Sequence, residues 1–219
     1  MELTLEELYE NNIKRFNSTL IEHEQYSLNG PLLMSLDSYY KQKTKLMIVG
    51  QETHGWLQSS NIEEQVDAYK NFNVGENYSQ TPFWNITRKI ERVLGIDRCS
   101  VAWSNLNRFD QNSGTPTEND VIASILEFDG LVKNEIEIIK PDVLVFFTNH
   151  KNDDRLVNLY KDAKFEEILG LPDKHFKRVI HPELPKITIR APHPKTIRIQ
   201  KWEDAFIDHI TNVSKDLDM

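Results

Sequence analysis

Apolar and polar positions follow two rhythms along the chain. Short continuous apolar runs occur in KLMIVG (45–50), CSVAWSN (99–105), DVLVFFT (142–148) and KITIRA (186–191), and each gives way to a polar cluster. Runs of this length and character predict strands buried on both faces of a parallel sheet. Between them the apolar residues fall three or four apart. Leu5, Leu8, Ile13 and Phe16 predict a helix over 4–16, and a second short helix is expected after Pro31. PFWNITRKIERVLG (82–95) opens on a proline, closes on a glycine and repeats its apolar residues at helical spacing. The stretch 115–140 predicts a long helix with Gly130 as the place for a bend and Pro141 as its stop, and a last helix is expected over 198–216. Strands separated by helices imply an α/β fold, a three-layer αβα sandwich around a central four-stranded parallel sheet.

At 219 residues the chain suits one domain, spanning 1–219, with 1–44 as an N-terminal helical extension to a core over 45–219. Hydrophobic residues make up 39% and charged residues 27%, and no apolar run nears the ~20 residues of a membrane span. The acidic start MELTLEELYENNIKRF lacks the basic and apolar blocks of a secretory signal, so a cytoplasmic protein is expected. The single cysteine, Cys99, forbids an internal disulfide and cannot alone hold zinc or an iron–sulfur cluster; core packing is its expected role. A net charge of −8 argues against a strongly adhesive nucleic-acid binder, yet KITIRAPHPKTIRIQK (186–201) carries Lys186, Arg190, Lys195, Arg198 and Lys201 and no acid.

Ligands of parallel sheets bind beyond the carboxyl ends of the strands. Here the strand exits read Gly50-Gln51-Glu52-Thr53-His54, Asn105-Leu106-Asn107-Arg108, Thr148-Asn149-His150 and His193-Pro194-Lys195-Thr196. The third is read as an ordinary polar turn. The other three place a carboxylate, an amide and an imidazole at strand ends.

Their order resembles the uracil-DNA glycosylase superfamily, whose members carry a GQDPYH-type motif after the first strand, an LLN-type asparagine after the second, an apolar FFLWG-type third strand and HPSP after the fourth. The counterparts are GQETHG (50–55), WSN (103–105), VFFTN (145–149) and HPKT (193–196), and PFWNI (82–86) is similar to the helix opening of the mismatch-specific branch. The resemblance spans about residues 45–201. It implies a DNA glycosylase that hydrolyses the N-glycosidic bond of uracil or a related damaged base. Glu52 would align water and steady the cationic sugar, and His193 would donate to the departing base. Gln51 and Asn105 would bind the base, and Phe83 or Phe72 would stack on it. Lys195, Arg198 and Lys201, with Arg108 beside them, would hold backbone phosphates. The implied partner is DNA presenting a flipped-out base to a monomer. No cofactor, metal, membrane or protein partner is implied, and one cysteine excludes the iron–sulfur branches.

Plainer roles stand beside each assignment: a loop cap or salt bridge for Glu52, a residue before a proline turn for His193, a turn former for Asn105, and core packing for the phenylalanines. Thr53 replaces the family's proline, His54 stands at the place of a tyrosine, and HPKT lacks the second proline. The alternatives are therefore a catalytically silent nucleic-acid-binding or interaction protein on the same fold, and a small-molecule hydrolase using Glu52 and His193.

Overall fold

A computed structural model describes residues 3–217. The strands are β1 (Leu28–Asn29), β2 (Leu46–Gly50), β3 (Ala102–Asn105), β4 (Asp110–Gln111), β5 (Val143–Phe146), β6 (Lys164–Glu167), β7 (Lys177–Ile180) and β8 (Ile187–Arg190). The helices are α1 (Leu5–Glu10), α2 (Ile13–Glu22), α3 (Ile62–Phe72), α4 (Pro82–Val93), α5 (Asn119–Leu126), α6 (Asp129–Ile139), α7 (Asp153–Leu159), α8 (Pro194–Ile199) and α9 (Glu203–Ser214). The class is mixed α/β, as the alternating pattern predicts. Contacts group the chain into two compact units, one of Met1–Ser35, Gly50–Asn71 and Ser104–Ile139, the other of Leu36–Val49, Phe72–Trp103 and Lys140–Met219. The N-terminal stretch 1–44 is thus divided between them.

The principal sheet has six strands, in the order β3-β2-β5-β8-β7-β6, and not the four expected. All four anticipated strands are in it. β2, β5 and β8 run parallel, with Leu46 opposite Val143 and Val143 opposite Ile187. Every residue of LMIVG, VLVF and ITIR is buried, as strands covered on both faces require. The added strands β7 and β6 extend one edge antiparallel. KFEE and KRVI bury only Val179, so their sequence offers neither an apolar run nor a clean alternation. Arg190, one of the cations of the basic run 186–201, is buried at 1% exposure, with Nε 2.9 Å from Asp153 Oδ1.

Several helices break where one was expected. Asn11 and Asn12 separate α1 from α2, and Asn12 Nδ2 donates to the Leu8 carbonyl at 2.8 Å, an amide competing with the helix for its backbone. After Pro31 the chain runs outside regular structure, with Leu32, Leu33 and Met34 buried, and the short helix expected there is a single 3-10 turn at Tyr39–Lys41. The 115–140 stretch parts before Gly130, at Glu127 and Phe128, where the Phe128 ring stacks on Phe16 at 5.4 Å and meets Phe109 at 5.7 Å. These rings, with Leu8, Tyr9, Leu33, Val121, Ile125 and Leu131, form the core of the first unit. Lys201, at φ 59°, divides the expected last helix into α8 and α9. β3 begins three residues later than expected, after Cys99 at φ 62°. Among the described residues no helix is long and apolar enough to cross a membrane.

Candidate functional site

In the first unit, the segment after β2 lies along the segment after β3. The Leu106 N–H donates to the Gly50 carbonyl at 3.0 Å and the Asn107 N–H to the Gln51 carbonyl at 2.7 Å, so strand-like pairing continues past both strand ends. Glu52 is half-buried and held at both oxygens: Asn107 Nδ2 donates to Oε2 at 3.1 Å and Thr115 Oγ1 to Oε1 at 2.7 Å. The carboxylate is therefore oriented while part of it still faces solvent.

The loop beyond it is anchored by Asp110. Its Oδ2 accepts from Thr53 Oγ1 at 2.6 Å and from the Gly55 and Trp56 N–H groups at 3.0 and 3.1 Å. Its Oδ1 accepts from Asn29 Nδ2 at 2.7 Å and the Ser113 N–H at 2.9 Å. Five donors on one buried carboxylate satisfy it fully and explain why an acid tolerates burial there. Exposed His54 donates from Nδ1 to the Ser113 carbonyl.

Asn105, the last residue of β3, is 1% exposed, and neither its Nδ2 nor its Oδ1 has a hydrogen-bond partner among the described residues. Buried amides normally find partners, because leaving one dry costs roughly 1–3 kcal/mol. A turn-forming role would hydrogen-bond this side chain to nearby backbone, and it does not.

Arg108, expected near phosphates, is fully buried. Its Nη1 and Nη2 reach Glu135 Oε1 and Oε2 at 2.9 and 2.7 Å, and Nη1 also donates to the Leu32 carbonyl. Tyr9 and Ser104 donate to the same carboxylate at 2.8 and 2.7 Å. This network holds the first unit together and leaves Arg108 no access to a ligand.

In the second unit, His193 caps α8, ahead of Pro194 at its first position. Its Nδ1 accepts the Lys195 N–H at 3.1 Å. The neutral ring therefore carries its proton on Nε2 and presents a donor there. Burial, and then the Lys195 charge, push its pKa below the ordinary histidine value, which keeps the ring neutral near pH 7. The Phe83 ring lies 6.0 Å from it and also meets Trp84, Trp103 and Phe147. Phe72 stacks on Tyr78 at 5.4 Å and contacts the same two tryptophans. Both phenylalanines are half-buried, members of one aromatic group with an exposed margin. Lys195 and Lys201 are exposed. Arg198 is also exposed but engaged, with Nη2 donating to Asn85 Oδ1 at 2.6 Å and Nε 3.4 Å from Glu203 Oε2.

Gln51, Glu52 and Asn105 thus lie in the first unit, and Phe72, Phe83, His193, Lys195, Arg198 and Lys201 in the second. Asp110, Asn107, Thr115 and the tryptophans were not anticipated as supports. The first two lie in the largely polar stretch Asn107-Arg108-Phe109-Asp110 after the strand, whose sequence carries no signal of that role. Among the described residues no three His, Cys, Asp or Glu side chains gather in a group that could hold a metal ion. No protein-family model matches the chain, and no curated protein sequence matches it.

Proposed function

We propose that the protein is a DNA glycosylase, on a uracil-DNA glycosylase-like three-layer fold, that hydrolyses the N-glycosidic bond of uracil or a related damaged base. The observation that carries this reading is Asn105, a buried amide at a strand end whose donor and acceptor are both unused among the described residues. An extruded base offers one donor and one acceptor side by side on its Watson–Crick edge, the complement of an amide. Two further observations support it. Glu52 is an oriented, half-exposed carboxylate suited to aligning water and stabilising a cationic sugar. His193 is a neutral imidazole with Nε2–H as its donor, suited to a base oxygen that gains negative charge. In the reaction, water oxygen bonds to the sugar C1′ as the C1′–N bond breaks, its electron pair leaves with the base, and the water proton passes to Glu52.

One observation favours the catalytically silent alternative. Both Glu52 oxygens accept side-chain hydrogen bonds, as a purely structural carboxylate would. Incubation with oligonucleotides containing uracil, hypoxanthine, xanthine or a mismatch, followed by alkaline cleavage of abasic sites, separates the two. Glu52→Gln and His193→Ala should each slow base release by about a hundredfold or more, with smaller effects on binding. DNA retention without release of any base selects the silent binder. Activity that survives Glu52→Gln in full removes the carboxylate from the chemistry.

A further inference from the structure

Within the second unit, one face of α4 borders a cavity of about 500 Å³ lined by Ser79, Gln80, Asn85, Arg88, Glu91, Arg92, Ile96 and Arg98. Asn85, Arg88 and Arg92 are spaced three and four apart, so they share that helix face. Arg98 and the serine and glutamine come from the segments flanking the helix.

The charges are unbalanced. Three arginines face one carboxylate, and that carboxylate is turned away: Glu91 is 2% exposed, its Oε2 2.9 Å from Arg88 Nε and its Oε1 accepting the Ser100 N–H at 3.3 Å. Arg88 is committed, since its Nη1 donates to Cys99 Sγ and its Nη2 to the Val74 carbonyl. Arg98 uses only Nη2, donating to Ser79 Oγ at 3.0 Å and the Glu76 carbonyl at 3.5 Å, so Nε and Nη1 have no partner among the described residues. Arg92 has none at all among them and is exposed. Two guanidinium forks therefore stand at one cavity with donors to spare, beside the Gln80 and Asn85 amides that can complete an anion's shell, while the Ser79 hydroxyl is committed to the Glu76 carbonyl at 2.7 Å. Planar forks pair bidentately with phosphate oxygens. A volume near 500 Å³ is within the ordinary range for small-ligand sites and exceeds what a bare phosphate needs.

We propose that this cavity is a binding site for a phosphorylated small molecule of mononucleotide size, held through its phosphate by Arg92 and Arg98. The site is independent of Glu52, His193 and Asn105 and does not rest on the glycosylase reading.

Titration calorimetry on the full chain with inorganic phosphate, a 5′-mononucleotide and a short single-stranded oligonucleotide tests it. The expected result is saturable binding of phosphate and tighter binding of the mononucleotide, each weakened about tenfold or more in Arg92→Ala and in Arg98→Ala. Arg92 has no side-chain partner among the described residues to lose, so Arg92→Ala should retain the wild-type unfolding midpoint and serve even if the Arg98 variant is destabilised. The proposal is overturned if phosphate and mononucleotide do not bind, or if both variants bind them as wild type does. Binding of the oligonucleotide alone, lost in the variants, also overturns it, because the cavity would then hold a nucleic-acid backbone and not a small ligand.

Discussion

Replacing Asn105 by leucine separates a side chain kept for function from one kept for structure. Leucine branches at Cγ as asparagine does, so the change exchanges a dry amide for two methyl groups of similar shape. The amide is 1% exposed and unpartnered among the described residues, so the folded protein bears the desolvation of one donor and one acceptor without return. Removing that burden is worth roughly 1–3 kcal/mol, and the larger volume of leucine takes some of it back. The net expectation is a gain of about 1 kcal/mol in urea unfolding. Under the proposed glycosylase function, base release should meanwhile fall by about a hundredfold or more, since the amide proposed to read the base is gone. Stability up and activity down is the mark of a residue strained for function. A loss of more than about 1 kcal/mol in Asn105→Leu would show that the amide is structurally employed and would falsify the argument, whatever the activity assay gives.

Other consequences follow from the packing. Burial pushes the Glu91 carboxyl up to about 7 despite the Arg88 guanidinium, so the stability this group contributes is fully present below its unfolded value of 4.5 and is lost as pH rises toward 7. The gap corresponds to about 3 kcal/mol, and the difference in unfolding free energy between wild type and Glu91→Gln, followed from pH 5 to 8, should shift by most of that; a pH-independent difference rejects the reading. At Gly75, φ 70°, a Cβ would lie 2.2 Å from Trp84 Cδ2, whereas at Gly95, φ 66°, it meets nothing within 4 Å. Gly75→Ala should therefore cost about 2–4 kcal/mol and Gly95→Ala about 1, and equal costs in denaturant melts would refute the clash. Arg108→Met should destabilise by about 3–5 kcal/mol by stranding Glu135, and adding Glu135→Leu should recover part of the loss; an additive double mutant contradicts the coupling.

The parallel strands were legible because burial on both faces leaves an apolar run with no polar interruption, as in LMIVG and VLVF. The β6–β7 edge was not, because a solvated edge strand such as KFEE is written in the same residues as a loop. Helix ends failed where one side chain overruled the period: Asn12 bonding back to Leu8, and Phe128 turning into the ring cluster with Phe16 and Phe109. Among the candidate functional residues, residue type and position after a strand pointed to Glu52, Asn105 and His193. Whether each is engaged depends on partners that no local pattern reveals. Arg108 and Asn105 stand three residues apart at the end of the same strand, yet Nη1 and Nη2 of one pair with Glu135 while the amide of the other has no partner among the described residues.

Thr53 carries the same lesson further. Where the family pattern places a proline, a threonine removes the ring that restricts the backbone after Glu52, and sequence alone reads this as a loosened loop. The structure supplies the restraint from elsewhere. Asp110, 57 residues away in sequence, takes the Thr53 hydroxyl and the Gly55 and Trp56 N–H groups on one oxygen. A proline fixes one φ; this carboxylate ties three positions of the loop to a turn that also holds Asn29 and Ser113. Thr53 and Asp110 thus act as a pair, and the orientation of Glu52 rests on it, because the loop that presents the carboxylate is anchored immediately after it. Thr53→Pro alone should consequently not reproduce the family's loop: it would remove the hydroxyl from Asp110 and leave a buried carboxylate short of its shortest hydrogen bond, a cost of about 1–3 kcal/mol that the stiffer backbone offsets by less than 1.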